Sequence, residues 1–213
     1  HHTIVLVFNG EIYNYRKLRH DLKRPNHSFN TDGDGETIIH LYEDHGLNLF
    51  SYLRGMYAFA LWDSAAERLV LAVDHTGMKP LYLHERDGRL WFASEIKALL
   101  ADPTAPRELN LDVLDTYLSF GYMIGADTLF RGVRRLLPGH AYVADKGGAR
   151  LHPFWEFGQP SPVTPPLPRQ GEGKNKNADP YNPANDGLIF QETRDLLADA
   201  VRLHLRSDVP LGL

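Results

Sequence analysis

The 213 residues carry 23 Lys and Arg against 27 Asp and Glu, a net charge of −4, with 43% hydrophobic and 23% charged residues. This is ordinary globular usage, which excludes collagen-like, coiled-coil and wholly disordered chains; without a basic block to meet a phosphate backbone, it also excludes nucleic acid as a partner. No apolar run reaches the ~18–20 residues that span a bilayer, and the amino terminus has no signal-peptide zones, so a cytoplasmic protein with no membrane partner is expected. There is no cysteine, hence no disulfide, no thiolate metal site and no cysteine nucleophile within the chain. By size the chain is one large domain, or one domain plus a fragment, at roughly 100–200 residues per domain.

In chain order, Thr3 to Phe8 rises into β-branched and apolar residues and predicts a buried strand, entered abruptly enough to look like a cut edge. Whether His1 and His2 are native stays open. After Asn9-Gly10, the residues Ile12, Tyr15, Leu18 and Leu22 fall at helical spacing and Pro25 stops that helix. A second helix is expected from Glu36 to His45. The run Met56–Trp62 is apolar on both alternating faces and predicts a strand covered on both sides. Short strands follow at Leu69–Val73, Pro80–His84 and Leu90–Ala93, then helices at Ser94–Leu100 and Leu111–Phe120, then strands at His140–Ala144 and Arg150–Trp155. Strands covered on both faces with helices at either end imply a layered sandwich. From Gly158 to Asp186 the composition turns to proline and glycine, as in a linker, before helical periodicity returns from Leu188 to Arg206.

Two stretches could carry chemistry. Asn9-Gly10-Glu11 follows an apolar strand, where an amide side chain and a backbone N–H can meet a developing oxyanion; the competing reading is a turn that merely needs a positive φ. Asp32-Gly33-Asp34-Gly35-Glu36 precedes a helix, so one carboxylate can cap it and another can hold a ligand ammonium. The spacing to a final glutamate rules out an EF-hand. The eleven histidines show no metal-ligand spacing, so no metal site is expected, and no glycine loop with a following lysine cradles phosphate. Lys79-Pro80-Leu81-Tyr82 reads as a strand entrance and Ser94 as a helix cap.

Together these stretches resemble the glutamine amidotransferase domain of asparagine synthetases, class II amidotransferases with an N-terminal nucleophile. The matching words are Val7-Phe8-Asn9-Gly10-Glu11-Ile12-Tyr13-Asn14-Tyr15, Asp34-Gly35-Glu36, Leu53 to Asp63, Gly77-Met78-Lys79-Pro80-Leu81-Tyr82 and Phe92 to Leu99. Leu137-Pro138-Gly139-His140 and Trp155 match the end of that domain, and Ser207–Gly212 the approach to a synthetase domain. The resemblance implies an α+β, four-layer αββα sandwich, incomplete at its amino end. It implies that Asn9 and Gly10 form the oxyanion hole and that Glu11 and Asp34 hold the α-amino end of glutamine. It also implies a partition into an amidotransferase domain at 1–157, a linker at 158–187 and the first helix of a truncated synthetase domain at 188–213.

The family's nucleophile is an exposed N-terminal cysteine whose amino group acts as base, and this chain has none. Asp74-His75-Thr76-Gly77 departs from the family's Asp-Arg-x-Gly, and Gly33 sits where serine is common. The expectation is therefore an inactive fragment of an enzyme that hydrolyses glutamine for ATP-dependent amidation of aspartate or a related carboxylate. No cofactor is expected in the fragment; ATP and Mg belong to the parent's synthetase domain. Its partners would be glutamine and the remainder of that domain, with a homo-oligomer left open. The alternatives are a non-catalytic glutamine-binding or scaffold module, and a class II amidotransferase with another acceptor.

Overall fold

The computed structural model describes residues 3–22, 27–157 and 186–205. The expected helix stop at Pro25, the stretch Ser207–Gly212 and all of the expected linker except its last two residues lie outside the described residues. In order, the elements are β1 (Ile4–Ile12), α1 (Tyr15–Leu22), α2 (Gly35–His45), a 3-10 segment (Gly46–Ser51), β2 (Gly55–Asp63), β3 (Arg68–Val73), β4 (Tyr82–Arg86), β5 (Arg89–Ala93), α3 (Ile96–Leu99), a 3-10 turn (Leu111–Val113), α4 (Leu114–Phe120), β6 (Val133–Arg135), β7 (His140–Asp145), β8 (Gly148–Pro153) and α5 (Asp186–His204). No described helix is long and apolar enough to cross a membrane.

The strands make two antiparallel sheets, one of five strands in the order β1-β2-β3-β7-β8 and one of three in the order β5-β4-β6. Alternation along β2 builds both cores. Tyr57, Phe59 and Leu61 face α1 and α2 in a cluster with Leu18, Leu22, Ile38, Leu41 and Phe50. Ala58 and Ala60 face the smaller sheet with Leu71 and Val73, meeting Leu81, Leu83 and Leu136. Small residues on that face let the two sheets lie close. Behind the smaller sheet, His84 is buried, stacks on Trp91 at 5.4 Å and shares a 2.9 Å hydrogen bond with the Gly132 carbonyl. The order of layers is α1 and α2, the five-stranded sheet and the three-stranded sheet, with α3 against β5 beyond, in keeping with the expected α+β sandwich.

Three local expectations are corrected, and one strand appears that none had placed. Ile12 ends β1 and is fully buried in the core under α1 and α2, so it belongs to the strand and not to the first helix. The opening strand is buried on one face alone: Ile4, Leu6 and Phe8 pack inward, whereas Val5 is 51% and Val7 66% exposed. The Val133–Arg135 strand carries too few residues and too much charge to show a period of two. The cap position of α3 is Glu95, in extended conformation and without a side-chain cap, rather than Ser94.

Candidate functional site

The candidate site forms where β1 ends. Gly10 pairs with Tyr57 across the β1–β2 seam at φ +151°, and a Cβ there would stand 2.1 Å from the Met56 carbonyl oxygen. Gly55, on the facing strand, would put a Cβ 2.1 Å from the Glu11 carbonyl oxygen. Glycine is therefore required at both positions by close backbone approach. The turn reading of Asn9-Gly10 is overturned, because both residues lie inside a nine-residue strand.

Asn9 and Glu11 share the face of β1 that looks away from α1 and α2. Asn9 lines an open cleft of about 180 Å³ with Val7, Ala58, Ala60, Leu81, Phe92 and Ser94. Neither the Asn9 amide nor the Glu11 carboxylate makes a side-chain hydrogen bond or ion pair among the described residues. Asp34 comes in from the start of α2: its Oδ2 accepts the Ile12 N–H at 2.7 Å, and Oδ1 has no described partner. The capping reading of Asp34 is corrected, since this residue occupies the cap position but makes no side-chain cap bond. Its carbonyl instead accepts the Thr37 N–H and hydroxyl. Thus Asn9, Gly10, Glu11 and Asp34, 22 residues from Ile12 in the chain, gather at one strand end. Burial first, then the carboxylates of Glu11 and Asp74, push the neighbouring Tyr13 phenol up, so it keeps its proton.

Three supports escaped the sequence reading. Arg19 of α1 donates to the carbonyls of Thr31 at 2.6 Å and Gly33 at 3.2 Å, with its guanidinium 4.3 Å over the Phe29 ring. Glu36 accepts the N–H groups of Asn30 and Thr31 and the Thr31 hydroxyl at 2.7–2.8 Å. Burial alone would raise the Glu36 carboxyl, but these bonds outweigh it, with His40 adding to them, and hold it at about 2. Arg19 and Glu36 together pin the loop that delivers Asp34. Below the seam, Asp74 is 1% exposed and accepts N–H groups from Tyr57, Thr76, Met78 and Lys79 plus the Thr76 hydroxyl. The Asp-x-x-Gly turn was the one legible signal for it. The neighbouring His75 is held down by burial, partly offset by Asp74, and packs edge-on against Phe154 and Trp155.

Over nearly its whole length the chain is similar to several curated proteins. It is 32% identical over 211 residues to asparagine synthetase [glutamine-hydrolyzing] 1 of Bacillus subtilis, covering 99% of this chain and 30% of that protein. It is also 32% identical over 213 residues to amidase chyE of Penicillium rubens, covering 99% of this chain and 28% of that one. The chain thus spans about a third or less of the curated relatives it matches. Among solved structures, the glutamine phosphoribosylpyrophosphate amidotransferase of B. subtilis, in complex with ADP and GMP, aligns over 71% of this chain and 29% of its own with a TM-score of 0.51 at 23% identity, a likeness of fold alone. The shared fold is the two-sheet α+β sandwich described above. Residues 1–155 match the glutamine amidotransferase domain family, and the chain belongs to it.

Proposed function

We propose that this chain carries the glutamine-holding half of the ammonia-releasing site of an asparagine-synthetase-like enzyme, and that it releases no ammonia by itself. The observation that carries the reading is the 2.7 Å bond from the Ile12 N–H to Asp34, which draws a carboxylate to the strand end bearing Asn9, Gly10 and Glu11. Two carboxylates with open acceptor positions suit an α-ammonium group. An amide side chain beside a backbone N–H suits the oxyanion that forms when a thiol attacks the side-chain carbonyl of glutamine. In such a reaction the attacking sulfur bonds to that carbon, ammonia leaves, and water hydrolyses the thioester to glutamate. With no cysteine in the sequence, the thiol would come from residues outside these 213.

The parent would be a cytoplasmic ligase that passes the ammonia to aspartate or a related carboxylate. ATP and Mg²⁺ would be held by its synthetase half, since nothing in these 213 residues resembles a phosphate-cradling loop. The division at 158–187 belongs to the same reading, with α5 opening the synthetase half; Arg54 pairs with Asp199 of that helix at 3.1 Å and Tyr13 packs on its His204 at 4.3 Å. One observation favours a second reading, a glutamine-binding module without catalysis: the pocket residues are present while the thiol is absent.

Titration calorimetry and an ammonia assay on the 213-residue chain test the proposal. Glutamine should bind without ammonia release, and Asp34→Asn, which keeps an acceptor for the Ile12 N–H, should weaken binding at least tenfold. Ammonia above a heat-killed control would refute the inactivity, and binding unchanged in Asp34→Asn would refute the pocket. Reading the codons upstream of His1 separates the two versions: Met-Cys-Gly within about half a domain's length supports the enzyme, whereas a native start at His1 supports the module.

A further inference from the structure

The histidines show no ligand spacing in sequence, yet the fold assembles three donors on the outer side of α2. His27, in the loop before the helix, has Nδ1 3.5 Å from Glu43 Oε2, and His40, one helical turn before Glu43, has Nδ1 2.7 Å from the same oxygen. One donor atom from each of the three residues lies within 4.8 Å of the other two. The imidazole rings lie 4.5 Å apart, centroid to centroid. We propose that His27, His40 and Glu43 bind one divalent transition-metal ion of the zinc class.

Bonds of about 2.0–2.1 Å at tetrahedral angles set ligand atoms about 3.3 Å apart. The His27–Glu43 distance is already close to this. The shorter His40–Glu43 contact is a hydrogen bond whose proton a metal would replace, with a small outward move of Glu43. The far nitrogens strengthen the assignment. His27 Nε2 sits 2.8 Å from Asp44 Oδ1, and His40 Nε2 faces Glu36 Oε1 at 3.7 Å while buried without any hydrogen bond. A ligating histidine characteristically turns its second nitrogen to a carboxylate, which orients the ring and raises its basicity. Here both do. Two imidazoles and one carboxylate select a zinc-class ion over Ca²⁺ or Mg²⁺, whose sites are built from oxygen. The His27 and His40 side chains are 18% and 13% exposed and Glu43 is 35% exposed, so the site is covered on its imidazole side and open on its carboxylate side, where water can take the fourth position. Bound there, the ion would clamp the start of the loop that carries Asp34 onto α2.

Calorimetry with Zn²⁺ and the visible spectrum of the Co²⁺ form test the proposal on the metal-stripped 213-residue chain. One equivalent should bind, and Zn²⁺ should raise the melting temperature. Glu43→Gln, at a position with little packing to lose, and His40→Gln should each abolish the tetrahedral Co²⁺ bands. Asp44→Asn should weaken binding about 10–100-fold with stoichiometry kept. Because His1, His2 and His20 are other sources of imidazole, the His1→Ala/His2→Ala and His20→Ala variants should bind as the parent does. Melting curves without metal identify a variant that has simply unfolded, and if His40→Gln does so, Glu43→Gln alone decides. No binding, or binding that survives Glu43→Gln in the folded protein, overturns the site.

Discussion

Asn9 and Glu36 occupy opposite ends of the residue-scale problem, one an amide without a described partner at a cleft and the other a carboxylate held by three hydrogen bonds. If Asn9 supplies an oxyanion donor, Asn9→Ala in a longer, cysteine-containing parent should lower glutaminase turnover roughly a hundredfold or more with little change in stability, because the side chain is exposed and holds nothing in place. Unchanged turnover removes Asn9 from the oxyanion hole. Glu36 predicts a pH effect instead. Its folded-state value of about 2 lies below the ordinary 4.5, so its contribution to stability is complete above 4.5 and drains away as pH falls toward 2. Glu36→Gln should lower stability at pH 7 and flatten the acid limb of the stability curve between those values. Urea unfolding at a series of pH values measures this, and an identical acid limb in the variant refutes it. The two residues differed in legibility as well. Asn9 could be singled out as an amide after an apolar strand, though a turn explained it equally until the resemblance weighed in, whereas Glu36 was one acid among several until the chain brought Asn30 and Thr31 back onto it.

Among the elements, the β1–β2 seam shows what a strand pair must give up to bring its backbones close. Nine residues of β1 pair with nine of β2, and at the end that bears Asn9 and Glu11 two glycines bring the backbones closer than any side chain allows. Gly10→Ala should cost at least about 2 kcal/mol, since it meets both a positive φ and a carbonyl oxygen that belongs to rigid backbone. Gly46→Ala is the control: its Cβ meets nothing within 4 Å, so it reports the positive-φ cost alone and should be milder. Equal denaturant midpoints for the two variants would show that the seam does not enforce glycine. The elements themselves followed from pattern where length allowed it: β2 and β3 are nearly unbroken apolar runs, and α2 and α5 are long enough to show a helical period. The three-residue β6 and the placing of Ile12 did not follow, because a short strand has no period and a strand-to-helix junction belongs to both.

At the scale of the molecule, the described sandwich leaves β1 at an edge of the five-stranded sheet, with Val5 and Val7 on its outward face. An unpaired edge with exposed β-branched residues is a template for another strand, so the 213-residue chain should self-associate as its concentration rises. Val7→Lys, on the exposed face, should shift sizing chromatography toward monomer without lowering the melting temperature, and a concentration-independent monomer peak for the parent chain would refute the expectation. The absence of cysteine was enough to deny these 213 residues a thiol of their own. Alternating and helical periods yielded the layers, since burial pattern is a local property of the chain. The gathering of Asp34 beside Ile12, the pinning of its loop by Arg19 and Glu36, and the meeting of His27 with His40 and Glu43 were decided by tertiary structure alone. Each joins residues that no common period relates, and only the packing of α1 and α2 on the sheet sets the distances between them.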